Sequence, residues 1–98
     1  MEQKKQEIIR LLGRKYTYSM LKALGKKPSR FKELSHACGG EKMRAQRLRE
    51  LENVELIRVR AKRIGRRAVS IYSLSEKGRK TLRLAENLER LGEGSEKS

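Results

Sequence analysis

The most concentrated chemistry in the sequence is a group of four cations, Lys62, Arg63, Arg66 and Arg67. No acidic residue lies among them, and residues 56–74 hold six basic and no acidic side chains. Like charges this dense repel one another unless a polyanion is near, so the group is typical of a surface that contacts phosphates. A strand edge that is charged only to prevent aggregation shows the same residue types, and this alternative stays open.

The charge of the whole chain also favours a polyanionic partner. The 98 residues include 26 Lys and Arg against 12 Asp and Glu, a formal net charge of +14 at pH 7. Charge of this size attracts polyanions and carries no information about the fold. The abundance of Lys, Arg and Glu is also typical of thermophilic proteins.

A second set of candidate binding residues lies on a predicted helix over residues 41–53, in which Leu48 and Leu51 are the clearest buried positions. If these leucines face inward, helical geometry turns another four residues outward. They are Lys42, Ala45, Gln46 and Arg49. Gln can bond bidentately to adenine, Lys or Arg can bond to guanine, and Ala leaves room for a thymine methyl group. The set therefore suits base contact in a major groove, although any solvated helix face carries similar residues.

Enzyme chemistry finds almost no support. His36 is the only histidine and Cys38 the only cysteine, so the sequence lacks a metal-ligand cluster and a resolving thiol. We expect no catalytic residue, no metal and no cofactor, and we expect Cys38 to be an inert packing residue rather than a redox sensor. Tyr16 and Tyr18 could line a ligand cavity, but aromatic residues at helical spacing are more often core. We therefore expect no small-molecule effector.

The chain also shows no sign of a membrane span or a secretory signal. Its apolar stretches are short, whereas a bilayer needs about 20 apolar residues in one helix. The first residues are amphipathic and already include acids, unlike a signal peptide. We expect a cytoplasmic, nucleoid-associated protein.

Hydrophobic periodicity predicts the elements that position these groups. The predicted helices cover residues 2–12, 14–24, 29–38, 41–53 and 75–91. The predicted strands cover residues 57–62, where the period becomes two and indicates a half-buried strand, and residues 68–74, with a reversal over residues 63–67. Gly25 is expected to cap a helix C-terminus and Ser29 a helix N-terminus. This order predicts a mainly α protein with a small β-hairpin (α+β), in one domain over residues 1–91 with a flexible tail at 92–98.

Four segments resemble the HxlR-type branch of the winged helix-turn-helix regulators, which is related in layout to the MarR and ArsR groups. They are LLGRKYTYSMLKAL (residues 11–24), RFKEL (30–34), QRLRELENVELI (46–57) and YSLSEKG (72–78). The last two are the most telling, because they pair the end of the recognition helix with the end of the wing at the family's separation. The resemblance covers about 80 residues of the chain.

The resemblance implies a homodimeric transcription regulator that binds a palindromic site on double-stranded DNA. The helix over residues 41–53 would enter the major groove, and the wing over residues 62–67 would lie beside it. The first and last helices would build the dimer interface, which would account for apolar stripes that the chain leaves uncovered. These stripes are formed by Ile8, Leu12, Leu82, Ala85, Leu88 and Leu91.

Two positions depart from the family pattern. Tyr16 stands where a Trp is usual, a mild exchange. Arg44 stands where an apolar residue is usual, so we expect either a rotated helix or a side chain that extends to solvent.

Three other functions are compatible with the fold. An architectural protein that coats DNA with little sequence preference is favoured by the +14 charge. An RNA or single-strand binder would normally expose aromatic side chains for stacking, which this sequence lacks. A winged helix that serves only protein interaction would show no DNA affinity at low salt.

Overall fold

The computed structural model describes the backbone of residues 2–97 and the side chains of residues 6–92. The elements in this range are α1 (Glu2–Leu12), α2 (Thr17–Lys26), β1 (Ser29–Arg30), a 3-10 helix (Lys32–His36), α3 (Glu41–Asn53), β2 (Ile57–Ile64), β3 (Arg67–Leu74) and α4 (Glu76–Lys97). Within the described part of the chain, none of the helices is long and apolar enough to cross a membrane.

The core lies where α2, the 3-10 helix, α3 and the base of the hairpin meet. Its fully buried apolar side chains are Met20, Leu21, Leu34, Leu51, Leu56 and Cys38. On α2 the buried residues recur at three- and four-residue spacing, so one face of this helix is buried in the core. Each fully buried aliphatic side chain contributes about 1.5–3 kcal/mol relative to an exposed one. The core therefore fixes α3 by one face and leaves its other face to solvent.

The hairpin is longer and more exposed than the sequence predicted. Strands β2 and β3 pair antiparallel from Ile57 with Leu74 out to Ile64 with Arg67. Only Gly65 and Arg66 form the turn, and Gly65 has a φ of 64°, a value suited to the first central position of a type II′ hairpin. The predicted reversal over residues 63–67 is thus wrong in extent. The expectation of a half-buried strand is also wrong, because every residue of β2 after Ile57 is exposed.

A third strand replaces the start of the predicted helix over residues 29–38. Ser29 and Arg30 pair with Tyr72 and Ile71 of β3, which gives the sheet order β1-β3-β2. Ser29 is therefore no N-cap, and its hydroxyl instead donates to the Lys27 carbonyl at 3.2 Å. Pro28 disfavours helical backbone in Lys27, which is extended after α2, and the chain continues in the extended conformation to pair with β3.

The end of α2 also differs from the prediction. Gly25 lies inside α2, which continues to Lys26, so it is not a C-cap. A Cβ atom at Gly25 would lie 2.6 Å from the Leu82 side chain, because α4 crosses α2 here. The glycine therefore serves helix packing rather than helix termination.

The first turn of α4 is fixed against the connection between α3 and β2. Ser75 caps α4 by accepting a hydrogen bond from the Gly78 amide at 2.9 Å, while its hydroxyl donates to the Glu55 carbonyl at 2.6 Å. A Cβ atom at Gly78 would lie only 1.9 Å from the Leu56 carbonyl oxygen. Glycine at the end of the YSLSEKG segment is therefore required by a close backbone approach.

The helical backbone of α4 continues to Lys97, beyond the predicted end at residue 91. It therefore includes most of residues 92–98, which the sequence predicted to be a tail. The side chains of residues 93–98 and the last residue itself lie outside the described residues.

The order of the elements confirms the predicted fold class. The 3-10 helix, the turn at Gly39-Gly40 and α3 form a helix-turn-helix, and the β2–β3 hairpin follows it directly. With α1 before this unit and α4 after it, the chain is an α+β winged helix-turn-helix with flanking helices. The sheet has one strand more than the sequence predicted.

Candidate nucleic-acid interface

The outer face of α3 presents a line of polar side chains. Lys42, Gln46 and Arg49 are exposed and follow one another at four- and three-residue spacing, so they share one side of the helix. Ala45 lies beside them and is half-buried. The structure therefore brings the four predicted base-reading residues together, with Ala45 the least accessible.

The inner face of α3 carries two buried arginines in addition to its leucines. Arg47 donates to the Lys15 carbonyl at 3.2 Å and forms an ion pair with Glu50. The same carboxylate accepts a hydrogen bond from Arg14 at 3.3 Å. This network ties α3 to the turn between α1 and α2.

Arg44 contradicts both expectations drawn from its position in the sequence. Its side chain does not extend to solvent, because only 3% of the residue is exposed. The helix is not rotated either, because Leu48 and Leu51 are buried as predicted. The charged group is accommodated because backbone carbonyls, including those of Cys38 and Gly39, accept its hydrogen bonds.

The basic wing, which we define as the β2–β3 hairpin of residues 57–74, displays the four predicted cations differently from the prediction. Only Arg66 lies in the turn, whereas Lys62 and Arg63 belong to β2 and Arg67 to β3. Successive strand residues point to opposite faces, so Lys62 and Arg67 share one face and Arg63 lies on the other. The positive charge therefore surrounds the end of the wing.

Two further cations extend the charged face of the wing. Arg58 and Arg60 alternate along β2 in phase with Lys62, and both are exposed. Neither arginine belongs to the binding residues that the sequence predicts. The period-two spacing of Arg58, Arg60 and Lys62 was the signal that could have identified them.

A basic cleft of about 450 Å³ lies between the wing and the start of the 3-10 helix. Its cations are Arg30, Lys32 and Arg67, and its apolar lining comes from Phe31, Ile64, Val69 and Tyr72. Burial raises the pKa of the Tyr72 hydroxyl, and the nearby Glu52 carboxylate adds to the effect. The sequence did not single out Arg30 and Lys32, because only pairing of β1 with β3 brings them beside Arg67.

The cysteine, the histidine and two of the tyrosines lie apart from the basic surface. Cys38 is 1% exposed, and His36 is exposed at the end of the 3-10 helix. Among the described residues, no group of three His, Cys, Asp or Glu side chains could hold a metal ion. The Tyr18 hydroxyl donates to Glu89 at 3.1 Å and so connects α2 with α4. Partial burial raises the pKa of Tyr18, and the hydrogen bond to Glu89 raises it further. Tyr16 is 37% exposed, with a φ of 74°, and is not a core residue.

The residues predicted for the dimer interface divide into two groups. Ile8, Leu12 and Leu82 are half-buried against the chain's own core. Ala85 is half-buried as well, whereas Leu88 and Leu91 remain 66% and 67% exposed.

On the flanking helices α1 and α4, two apolar side chains outside the predicted interface are also exposed. Leu84 is 65% exposed and aligns with Leu88 and Leu91, and we call these three residues the leucine stripe. Ile9, on α1, is 72% exposed. The four- and three-residue spacing of Leu84, Leu88 and Leu91 is the sequence signal that identifies this exposed face of α4.

The fold and the basic surface define a winged helix-turn-helix protein. The comparison with family models specifies the family: the model described as HxlR-like helix-turn-helix matches residues 11–97. The chain belongs to this family. None of the curated proteins is similar enough to this chain to count as a match.

Several solved structures share the fold. Diamide-treated YodB from B. subtilis is 28% identical, with a TM-score of 0.76 over 87% of this chain and 85% of that one. A transcriptional regulator of the MarR family from Enterococcus faecalis V583 is 20% identical, with a TM-score of 0.84 over 98% and 88% of the two chains. Bacillus subtilis PadR in complex with operator DNA is 17% identical, with a TM-score of 0.62 over 68% and 44%. The last two likenesses concern the fold alone.

Proposed function

We propose that this protein is a homodimer that binds specific sites on double-stranded DNA and thereby regulates transcription. The observation that carries the proposal is the pairing of an exposed polar line on α3 with a basic wing directly after it in the fold. Membership of a regulator family and the operator complex of PadR, a protein of the same fold, support it. A regulator of this kind would act in the cytoplasm, on the nucleoid.

In this proposal α3 reads bases and the wing holds the backbone. A major groove about 12 Å wide admits one helix, and Lys42, Gln46 and Arg49 on the exposed side of α3 can bond to base edges. The wing cations and the basic cleft contact phosphates, which fixes the register of α3 without reading sequence. No cofactor, metal or small-molecule effector is needed for this function.

The homodimer follows from the leucine stripe. Three leucines that are each about two-thirds exposed on one helix face form an apolar surface that a second copy of α4 can cover. Ile9 of α1 adds to this surface. A two-fold pair of winged helices would then read two half-sites of a palindrome, because the symmetry of the protein is matched by that of the site.

The test is a selection followed by a competition. Duplexes that the protein enriches from a random-sequence library are labelled and then competed with scrambled duplexes at fixed salt. A regulator should prefer its selected site by about a thousandfold or more. If the protein binds tightly but without preference, the specificity part of the proposal fails.

The wing is tested separately by removing two of its charges. Arg66→Ala with Arg67→Ala removes four cations per dimer, so the slope of log K against log salt should flatten by about 3 to 4, at about 0.9 per phosphate contact. The matched control is Arg79→Ala with Arg83→Ala, which removes the same charge from exposed positions on α4. An equal effect of both pairs would mean that net charge, not wing contact, governs binding.

A low-specificity architectural protein is the second candidate. The observation that favours it is the presence of cations on both faces of the wing, which offers charge to a backbone in more than one orientation. The same competition separates the two candidates, because an architectural protein keeps little advantage for any site.

A further inference from the structure

The guanidinium of Arg44 is buried inside the helix-turn-helix unit. It donates to the carbonyl oxygens of Cys38 at 2.8 Å, Gly39 at 2.9 Å and Phe31 at 3.2 Å. The guanidinium carbon also lies 4.6 Å from the centroid of the Phe31 ring, close enough for a cation–π contact. The side chain therefore bonds to the segment before α3 at both of its ends, Phe31 and Gly39.

Net stability is a poor explanation for this arrangement. Removing a charged group from water costs several kcal/mol, and carbonyl partners repay this cost only when the geometry is good. An apolar side chain of similar volume often packs as well or better. What the arginine adds is a defined orientation of the helix. Its N–H donors are fixed in one plane, so they can donate to three carbonyl oxygens only when these oxygens are correctly placed.

Arg44 lies close in sequence to the residues that α3 exposes to solvent. Arg44 lies in the first half of α3, between Lys42 and the pair Ala45 and Gln46, so it is within one turn of all three. A rotation or sliding of α3 against the 3-10 helix would break its hydrogen bonds before it disturbed the leucines further along the helix. The hydrogen bonds of Arg44 thus constrain the angle between the start of α3 and the segment before it.

A second anchor keeps α3 in the core when Arg44 is changed. Arg47, which lies one turn further along the same inner face, donates to the Lys15 carbonyl before α2, and Leu48 and Leu51 remain buried. A variant at Arg44 therefore loses the orientation of the first turns of α3 rather than the whole fold.

We infer that Arg44 is a positioning residue of the DNA interface: through the carbonyls of Phe31, Cys38 and Gly39 it orients α3 and so determines sequence preference without touching DNA. The inference rests on the proposed function. The inference predicts different effects on sequence preference and on overall affinity. The orientation of α3 governs contacts to base edges and hence the preference, whereas affinity for the DNA backbone depends on cations elsewhere in the protein.

The main test compares Arg44→Met with the wild type. Met fills a similar space, removes all the donors and takes away one positive charge. The matched control is Arg79→Met, which removes the same charge from an exposed position on α4. Each protein is titrated with the duplex selected by the wild type and with a scrambled duplex of the same composition, at one salt concentration. Thermal melts define the temperature range in which each variant is folded.

For Arg44→Met we expect the preference for the selected duplex to fall at least tenfold. Its affinity for the scrambled duplex should stay within about twofold of that of Arg79→Met. Amide hydrogen exchange should become faster over residues 41–46 and stay unchanged in α4. A merely structural role would lower the melting temperature and leave the preference intact, which would overturn the inference.

Arg44→Lys carries the test if the Met variant does not fold. Lysine keeps the charge but lacks the planar fork, so we expect the preference to fall here as well, while the salt dependence equals that of the wild type. Full preference in a folded Arg44→Lys protein would overturn the inference. If the wild type itself does not distinguish the two duplexes, the proposed function fails together with the inference, whereas a discriminating wild type with discriminating variants refutes the inference alone.

Discussion

The exposed fractions of the leucine stripe on α4 give an estimate of how much each leucine contributes to the free energy of dimerisation. Leu84, Leu88 and Leu91 are each about two-thirds exposed. Complete burial of a leucine contributes about 1.5–3 kcal/mol, so burying the remaining two-thirds contributes about 1–2 kcal/mol per side chain. Leu88 occurs twice in a symmetric dimer and so contributes about 2–4 kcal/mol, which corresponds to about 30- to 1,000-fold in the dimer dissociation constant.

Leu88→Glu removes this contribution and places two carboxylates in the interface. We expect sedimentation equilibrium to show a dissociation constant raised by at least that factor, with a monomer of unchanged melting behaviour because Leu88 is outside the core. The matched control is Arg83→Glu, which introduces the same side chain on α4 more than a quarter of a turn from Leu84. If Leu88→Glu remains as dimeric as the control, α4 does not form the interface by this face and the reasoning is refuted.

Three further predictions concern other parts of the molecule. Gly78→Ala should destabilise the fold by about 3 kcal/mol in urea unfolding, since its Cβ would overlap the Leu56 carbonyl, and a wild-type midpoint would show that α4 does not approach so closely. Thr17→Val should raise the free energy of unfolding by about 1 kcal/mol, because the buried Thr17 hydroxyl has no hydrogen-bond partner among the described residues; a loss of stability would reveal a partner. Gln46→Ala and Arg49→Ala should each change the sequence recovered by selection while leaving binding to unrelated duplex nearly unaltered, and an unchanged selected site would remove that residue from base contact.

The sequence predicted the bounds of some elements and misplaced those of others. The bounds of α1 and α3 agree with the structure, because Gly13 follows the end of α1 and the Gly39-Gly40 turn comes directly before α3. Strand β1 was missed because its two residues are too few to show any period. The turn at Gly65 and Arg66 was predicted too long, because charged residues in a solvated strand resemble a loop.

The same limits apply to the candidate interface. The exposure of Lys42, Gln46 and Arg49 followed from the positions of Leu48 and Leu51, since a helix relates its faces by geometry alone. The role of Arg44 could not be predicted, because its partners are backbone carbonyls and no side-chain pattern signals them. Cations that tertiary packing brings together from separate segments, as in the basic cleft, leave no local signal either.

The most direct test of the central claim is the salt dependence of binding to duplex DNA. Affinity for a mixed-sequence duplex of two helical turns would be measured between 50 and 200 mM salt. A dimer that presents four wing cations per protomer to phosphates should lose affinity by about a thousandfold or more over this range. Affinity that is absent at 50 mM salt, or that stays constant up to 200 mM, would contradict a function based on α3 and the basic wing.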